Sequence, residues 1–165
     1  MTFAPRTWVV GEVVSAALMN QEIRDQFNSV FAAWSTYTPN WTAITTNPVL
    51  GNGTLVGRYM KIGRTVIAHV NLTMGSTTTY GSGGYSFDLP AAASNAGAAY
   101  IGNAHLLAGP RWGGQVVISP TATTTSPFMS TNATTTSLSQ LAATVPVTLA
   151  STHQLRMTAV YEAAA

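Results

Sequence analysis

The sequence predicts a mainly β protein, with a single N-terminal α-helix followed by a jelly-roll-like antiparallel β-sandwich. Two observations support this fold class. Apolar residues recur at helical spacing between Ser15 and Trp34. From Trp41 onward, short runs of β-branched and aromatic residues are separated by Gly, Pro, Asn and strings of Thr. The predicted parts are an N-terminal docking arm at residues 1–14, a helix at 15–37 and a β head at 38–165.

The helix prediction starts from Ser15, a residue type that caps helix N-termini well. After it, seam positions recur with spacings that alternate between four and three, at Ala16, Asn20, Ile23, Phe27, Val30 and Trp34. This is a heptad pattern, and β-branched residues at its d positions favour three or four strands over a parallel dimer. We therefore expect a homotrimer whose seam is Asn20, Ile23, Phe27, Val30 and Trp34.

A second interpretation of the same helix stays open. The pattern covers fewer than three full heptads, which is short for a coiled coil. Leu18, Met19 and Phe31 also widen the apolar stripe, as they would on a helix that packs against its own sheet.

The β head is predicted from alternating apolar residues and from turn signals. Val66, Ala68, Val70 and Leu72 share one parity, which predicts a strand with that face in the core. Gly63 is expected to close a tight hairpin with the preceding strand. Strands are predicted at residues 54–62, 64–74, 85–89, 99–108, 115–119, 127–131, 145–149 and 154–162.

The composition limits the classes of function. Charged residues make up 7% of the chain, against about 25% in ordinary soluble domains. A surface so poor in charge suits burial in an assembly, and a net charge of +2 is too small to indicate nucleic acid. No cysteine is present, no signal peptide is recognised and no apolar run is long enough for a membrane span. We expect synthesis in a reducing cytoplasm, no cofactor and no membrane or nucleic-acid partner.

Residues that could carry catalysis are sparse. Asp88 and Glu162 are the only acidic pair in the head, and glycoside hydrolysis would need them on either side of one cleft. His69, His105 and His153 lack the short spacings of metal ligands. We therefore expect a protein that is not an enzyme and holds no metal.

Aromatic residues beside glycines are the best candidates for ligand binding. Arg111 and Trp112 lie in a Gly-flanked segment that could present a guanidinium and a ring together, and Tyr80 and Tyr85 flank another. The alternative is that these rings seal the end of the head or a seam between subunits.

The N-terminal half of the chain resembles the minor tail and tail-fibre-like proteins of actinobacteriophages. The resemblance covers the chain up to Pro90 and is most specific near the N-terminus. The residues that carry it there are Arg6-Thr7-Trp8, Gly11-Glu12, Ser15, Asn20 and Arg24-Asp25.

The resemblance implies a trimeric virion protein that attaches through its N-terminal arm and presents the β head outward. Pro5, Arg6 and Trp8 are then the expected docking residues, with other virion proteins as partners and the host cell surface, including its glycans, as the target. Two alternatives remain. One is a capsid-decorating protein, in which the head only stabilises the particle. The other is a small glycan-binding module without a virion.

Overall fold

A computed structural model describes residues 6–131 and 137–164, in which strands predominate over helix. The mainly β, antiparallel fold class that the sequence predicts is confirmed at this level. Within the described residues, the only helical segment runs without a break through three stretches. They are α1 (Ala16–Met19), a π-helical turn (Asn20–Arg24) and α2 (Asp25–Phe31).

The strands form one antiparallel sheet that curls back on itself. Their order in the sheet is β1-β3-β4-β10-β6-β7-β8-β5-β2. β9 also pairs with β8, along the part of that strand that β5 leaves unpaired. The bounds are β1 Ser35–Tyr37, β2 Trp41–Ala43, β3 Thr54–Ile62, β4 Thr65–Thr73, β5 Tyr85–Asp88, β6 Tyr100–Leu107, β7 Arg111–Ile118, β8 Thr124–Ser130, β9 Leu138–Gln140 and β10 Gln154–Glu162.

The two ends of this strand order are joined by residues 38–40. β1 and β2 are neighbours in the chain, yet they pair at opposite ends of the sheet. Because consecutive Cα atoms are at most about 3.8 Å apart, three linking residues hold the two edges within about 15 Å. The sheet must therefore curl until its edges meet.

Tyr37 and Asp88 form the seam where the edges meet. The Tyr37 ring lies over Gly57 of β3, and its hydroxyl donates to the Asp88 carbonyl at 3.4 Å. Asn40 adds a side-chain hydrogen bond to the Asp88 carboxylate at 2.6 Å. Burial, with Tyr161 and Asp88 nearby, raises the pKa of Tyr37 above its ordinary value. The seam thus needs a residue without a side chain at position 57, where a Cβ atom would overlap the ring.

The core lies inside the curl and is lined by alternate residues of the long strands. The inward parity predicted for β4 is confirmed, since Val66, Ala68, Val70 and Leu72 are buried. Burying such a side chain contributes roughly 1.5–3 kcal/mol, so the long central strands provide most of the stability of the head.

Several predicted elements differ from the observed ones. The helix ends at Phe31, three residues before Trp34, because Ala32 leaves the helical conformation at ψ 145°. Residues 145–149 form an isolated bridge and a cis peptide before Pro146 instead of a strand. Strands β1, β2 and β9 were not predicted, since three residues are too few to show an alternating pattern. β7 begins at Arg111, four residues earlier than predicted, while β3 and β10 have the predicted bounds.

Candidate functional site

The N-terminal arm contains a turn built from the residues that carry the resemblance. The Glu12 amide donates to the Val9 carbonyl at 3.1 Å, and Gly11 takes a positive φ of 84° that few other residues adopt. The Glu12 carboxylate pairs with Arg6, whose guanidinium lies 5.4 Å from the centre of the Trp8 ring. Arg6 and Trp8 thus stand on one small ordered surface, while Pro5 lies outside the described residues.

The arm also exposes apolar side chains. Val10 and Val13 are almost fully exposed, and Trp8 is 42% exposed. Exposed apolar side chains this close together indicate a contact surface, because water solvates them poorly.

The helix begins as predicted. The Ser15 hydroxyl accepts a hydrogen bond from the Leu18 amide at 3.2 Å, which is the N-cap arrangement. The π-helical turn then changes which residues lie on the same side of the helix. Because a π turn takes about one residue more than an α turn, it rotates the following residues by roughly a quarter of a turn.

This rotation changes which residues share the apolar side of the helix, while the seam between subunits stays a prediction. In a regular α-helix Asn20 would stand above Phe27, but the π turn moves Asn20 off the apolar side. Residues spaced by four align across the turn instead. The resulting surface, here called the apolar stripe, consists of Met19, Ile23, Phe27, Val30 and Phe31. Trp34 lies beyond the end of the helix and is not part of it.

The apolar stripe is not covered by the head. Ile23 is 42% exposed, Phe27 62% and Phe31 80%. The end of the helix comes close to β3, but in the described residues the helix does not bury this stripe against the sheet, as the second interpretation of the sequence expected. Burying the exposed part of these side chains against a partner contributes at most about 1.5–3 kcal/mol each, the value for a large apolar side chain that becomes wholly buried.

Trp34 connects the helical segment to the head. Its ring meets the ring of His69 edge-on, with centroids 4.8 Å apart. His69 is on β4, directly opposite Arg58 on β3, and the three residues line a cleft of about 140 Å³ on the outer surface. Sequence reasoning missed this cleft. The hairpin register would have placed Arg58 opposite His69, but no sequence signal places Trp34 above them.

The predicted ligand residues do not form one site. Arg111 and Trp112 are consecutive residues of β7, so their side chains point to opposite faces of the sheet. Arg111 is exposed, whereas Trp112 is half-buried and packs against the core. The prediction that one loop presents both groups together is wrong, because the turn lies before them, at residues 108–110.

Tyr80 and Tyr85 belong to the inner packing of the head. Tyr85 is fully buried, meets the Trp41 ring edge-on and donates its hydroxyl hydrogen bond to the Tyr80 carbonyl at 2.6 Å. Burial raises the pKa of both tyrosines above the ordinary value. The alternative expectation, that aromatic rings seal the head, describes Tyr85.

The outer face of the sheet has an apolar half. Its side chains come from neighbouring strands, where Met60 pairs with Ile67 and Ile67 with Val160. Val160 and Ile101 are each 54% exposed. We call these four residues the apolar row.

The rest of the outer face is polar and carries unpaired cations. Among the residues that the structure describes, the three ion pairs are Arg6–Glu12, Arg24–Asp25 and Arg64–Glu162. Arg58, Arg111 and Arg156 of the outer face have no carboxylate partner within the described ranges.

The candidate catalytic and metal-binding residues are dispersed. Asp88 is held by Asn40 at the end of β5, whereas Glu162 of β10 pairs with Arg64 at 3.1 Å. Both side chains point outward from strands with three others between them, so they do not face one cleft. No group of three metal-ligating side chains occurs within residues 6–131 and 137–164.

Comparisons with protein-family models, with curated proteins and with solved structures find no match to this chain. In the part of the chain that the structure describes, no helix is long and apolar enough to cross a membrane.

Proposed function

We propose that this chain is a non-enzymatic structural protein of a bacteriophage particle, of the minor tail or tail-fibre kind. In this proposal it forms a homotrimer through its helix, docks onto other virion proteins through its arm and presents its β head for adhesion to the host surface. The head is a jelly-roll-like sandwich in each subunit. The protein needs no cofactor and acts on the virion after synthesis in the host cytoplasm.

The observation that carries this proposal is the uncovered apolar stripe. Its five large side chains remain exposed although the end of the helix comes close to β3, and the helix is only 16 residues long from Ala16 to Phe31. A helix of this length is marginal in water without a packing partner. A second and third copy of the same helix supply that partner, as closed cyclic oligomers do in general.

The proposal places docking on the arm. The turn at residues 9–12 fixes Arg6 and Trp8 beside one another, and the neighbouring valines are exposed. This combination supports a short segment that binds another virion protein by burying apolar side chains around an ordered turn. The resemblance to minor tail proteins rests on the same residues.

Solution mass tests the trimer. Light scattering on the intact chain should give about 52 kDa, three times the chain mass of 17.3 kDa. Phe27→Asp places a charge on the apolar stripe and should give a monomer. Asn28→Asp is the matched control, because it adds the same charge at an exposed position on another side of the helix. A monomeric intact chain would refute the trimer, and a trimer that survives Phe27→Asp would move the contacts to the heads.

The boundary of a truncated protein matters for this test. Removing residues before Thr38 would also remove β1 and the Tyr37 seam. A loss of the trimer could then come from a damaged head, so it would not test the helix. A chain that starts at Ala33 keeps Trp34 and β1 and removes only the arm and the helix. Immunogold labelling of phage particles with an antibody to the head then separates tail attachment from capsid decoration.

A further inference from the structure

The polar half of the outer face has a geometry that the proposed function does not use. Three arginines cross it along a diagonal. Arg58 pairs with His69, which pairs with Thr158, and Arg156 lies two residues further along the same strand. Arg156 pairs with His105, which pairs with Gly113, and Arg111 again lies two residues further along.

The spacing of this diagonal follows from sheet geometry. Each step crosses two strands, at roughly 4.8 Å each, and advances two residues, at roughly 3.4 Å each. Measured along the surface of the sheet, successive arginine Cα positions are therefore about 12 Å apart, and the diagonal follows the curl of the sheet. The three Cα positions thus form a regular row about 24 Å long along the curled surface of β3, β4, β10, β6 and β7, counted from the same spacings.

The charge on this row is not neutralised within the described residues. The head's carboxylates are engaged elsewhere, Asp88 with Asn40 and Glu162 with Arg64. Arg156 donates a hydrogen bond to the neutral amide oxygen of Gln154 at 2.8 Å. A row of unpaired guanidiniums attracts anions and can bind carboxylate or phosphate groups with two parallel hydrogen bonds each.

Neutral hydrogen-bonding side chains fill the space between the arginines. Asn71, Thr158, Asn103 and Gln115 all project outward from paired positions of the same strands. Amides and hydroxyls of this kind suit a ligand that carries many hydroxyl groups.

At one end of the row the cleft adds an aromatic surface. The Trp34 ring stands on His69 beside Arg58, so the cleft combines an indole, an imidazole and a guanidinium. Its volume of about 140 Å³ is small compared with the roughly 300–1,000 Å³ of sites that enclose whole drug-sized ligands. It fits one charged sugar unit of a longer chain whose other units lie on the open face.

We propose that the diagonal of Arg58, Arg156 and Arg111, together with the Trp34 cleft, binds a linear anionic polysaccharide that carries uronate or phosphate groups. This inference rests on the adhesion part of the proposed function and names its ligand class and its site. A nucleic acid is the less suitable polyanion, because three arginines and one accessible ring provide too few phosphate contacts and stacking surfaces.

Binding assays on the full-length chain test the site. The probes are polygalacturonate for uronate, a poly(glycerol phosphate) teichoic acid for phosphate, and dextran as a neutral polysaccharide of similar length. At least one anionic probe should bind, and the affinity should fall as salt rises. Dextran should not bind, and a single-stranded deoxythymidine oligonucleotide of equal charge should bind at least tenfold more weakly. Absence of binding by both anionic polymers, or equal binding of dextran or the oligonucleotide, would overturn the proposal.

Matched arginine variants locate the site. Arg58→Gln and Arg156→Gln should each weaken binding of the anionic probe roughly 5- to 20-fold, since a charge-assisted contact of this kind is worth about that factor. Lys61→Gln removes the same charge from an exposed position off the diagonal and should change the affinity less than twofold. Equal losses in all three variants would indicate unspecific charge attraction and refute the site.

The oligomeric state separates this proposal from the proposed function. The three variants should keep the solution mass of the intact chain, because none of the substituted residues belongs to the apolar stripe. A trimer that binds neither anionic polymer would refute the ligand and leave the trimer intact. A monomer that binds through Arg58 and Arg156 would support the ligand and refute the trimer.

Discussion

The seam at Tyr37 makes a specific prediction about Gly57. A Cβ atom at this position would overlap the Cε1, Cδ1 and Cζ atoms of the Tyr37 ring. The ring cannot bend away, so Gly57→Ala should push Tyr37 out of its place between β3 and Asp88. The substitution would otherwise be expected to stabilise a strand, since alanine loses less backbone entropy than glycine on folding.

The expected magnitude follows from the contacts that Tyr37 would lose. The half-buried ring contributes roughly 1 kcal/mol by burial, and its edge-on contact with Tyr59, at 5.8 Å between centroids, adds about 0.5–1.5 kcal/mol. The long hydrogen bond to the Asp88 carbonyl adds less than about 1 kcal/mol. We expect Gly57→Ala to lower the free energy of unfolding by about 2–3 kcal/mol, which is a fall in Tm of roughly 5–10 °C for a chain of this size.

Urea denaturation of matched variants provides the test. Gly113→Ala is the control, because Gly113 is also in a strand and an added Cβ atom would meet nothing within 4 Å. It should leave stability unchanged or raise it by up to about 1 kcal/mol. In a Tyr37→Ala background, Gly57→Ala should cost little, since the overlapping ring is gone. Equal effects of Gly57→Ala in both backgrounds, or equal effects at Gly57 and Gly113, would refute the closure by Tyr37.

Two further predictions concern pH and the helix cap. Burial raises the pKa of Tyr161 to about 12, partly opposed by its hydrogen bond with the backbone of Ala91. The unfolded chain ionises this phenol from about pH 10, so its contribution to stability is complete below pH 10 and is lost as pH rises from 10 to 12. Tyr161→Phe should reduce the pH slope of the unfolding free energy in that window by up to about 1.4 kcal/mol per pH unit, and identical slopes in urea titrations would contradict this. Ser15→Ala removes the N-cap and should cost the helix about 1 kcal/mol, seen as lower helical circular dichroism and a weaker trimer, whereas Ser15→Asp should retain both.

The long strands could be predicted from the sequence because their alternation is clear. β3 and β10 have nine residues each and match their predicted bounds. Their inner faces are mostly apolar and their outer faces carry Arg58 and Arg156, so the period of two is visible along the chain. Alternation also placed Val66 and Leu72 correctly in the core.

The short strands and the seam could not be predicted. β1 and β2 have three residues each, and what makes them strands is pairing with β3 and β5, distant in the chain. The register of Gly57 against Tyr37 depends on how far the sheet curls, which no local pattern reports. Prediction from sequence is most successful where an element has its own periodicity. It is least successful where a strand forms only because it pairs with another strand.

The helix illustrates a subtler limit. Its existence and its Ser15 cap followed from residue types, but the seam assumed a regular α-helix through Asn20. A single π turn changes which residues share a face, and it aligns Met19, Ile23 and Phe27 without the polar residue. These residues are spaced by four along the sequence. A heptad interpretation requires spacings that alternate between four and three, so it does not group them.

The junction at Trp34 would link the proposed self-association to the proposed ligand binding. Only residues 32–34 separate the end of the helix from β1, so Phe31 and Ser35 are at most about 15 Å apart. Trp34 is also held against His69, which limits how the head can turn about the helix. In a trimer the three heads would therefore lie close to the helix axis, where the apolar rows of Met60, Ile67, Val160 and Ile101 are available to cover one another. The arginine diagonals would then be held at fixed separations, and a long anionic polymer could bind more than one of them at once, which raises its apparent affinity without any new contact.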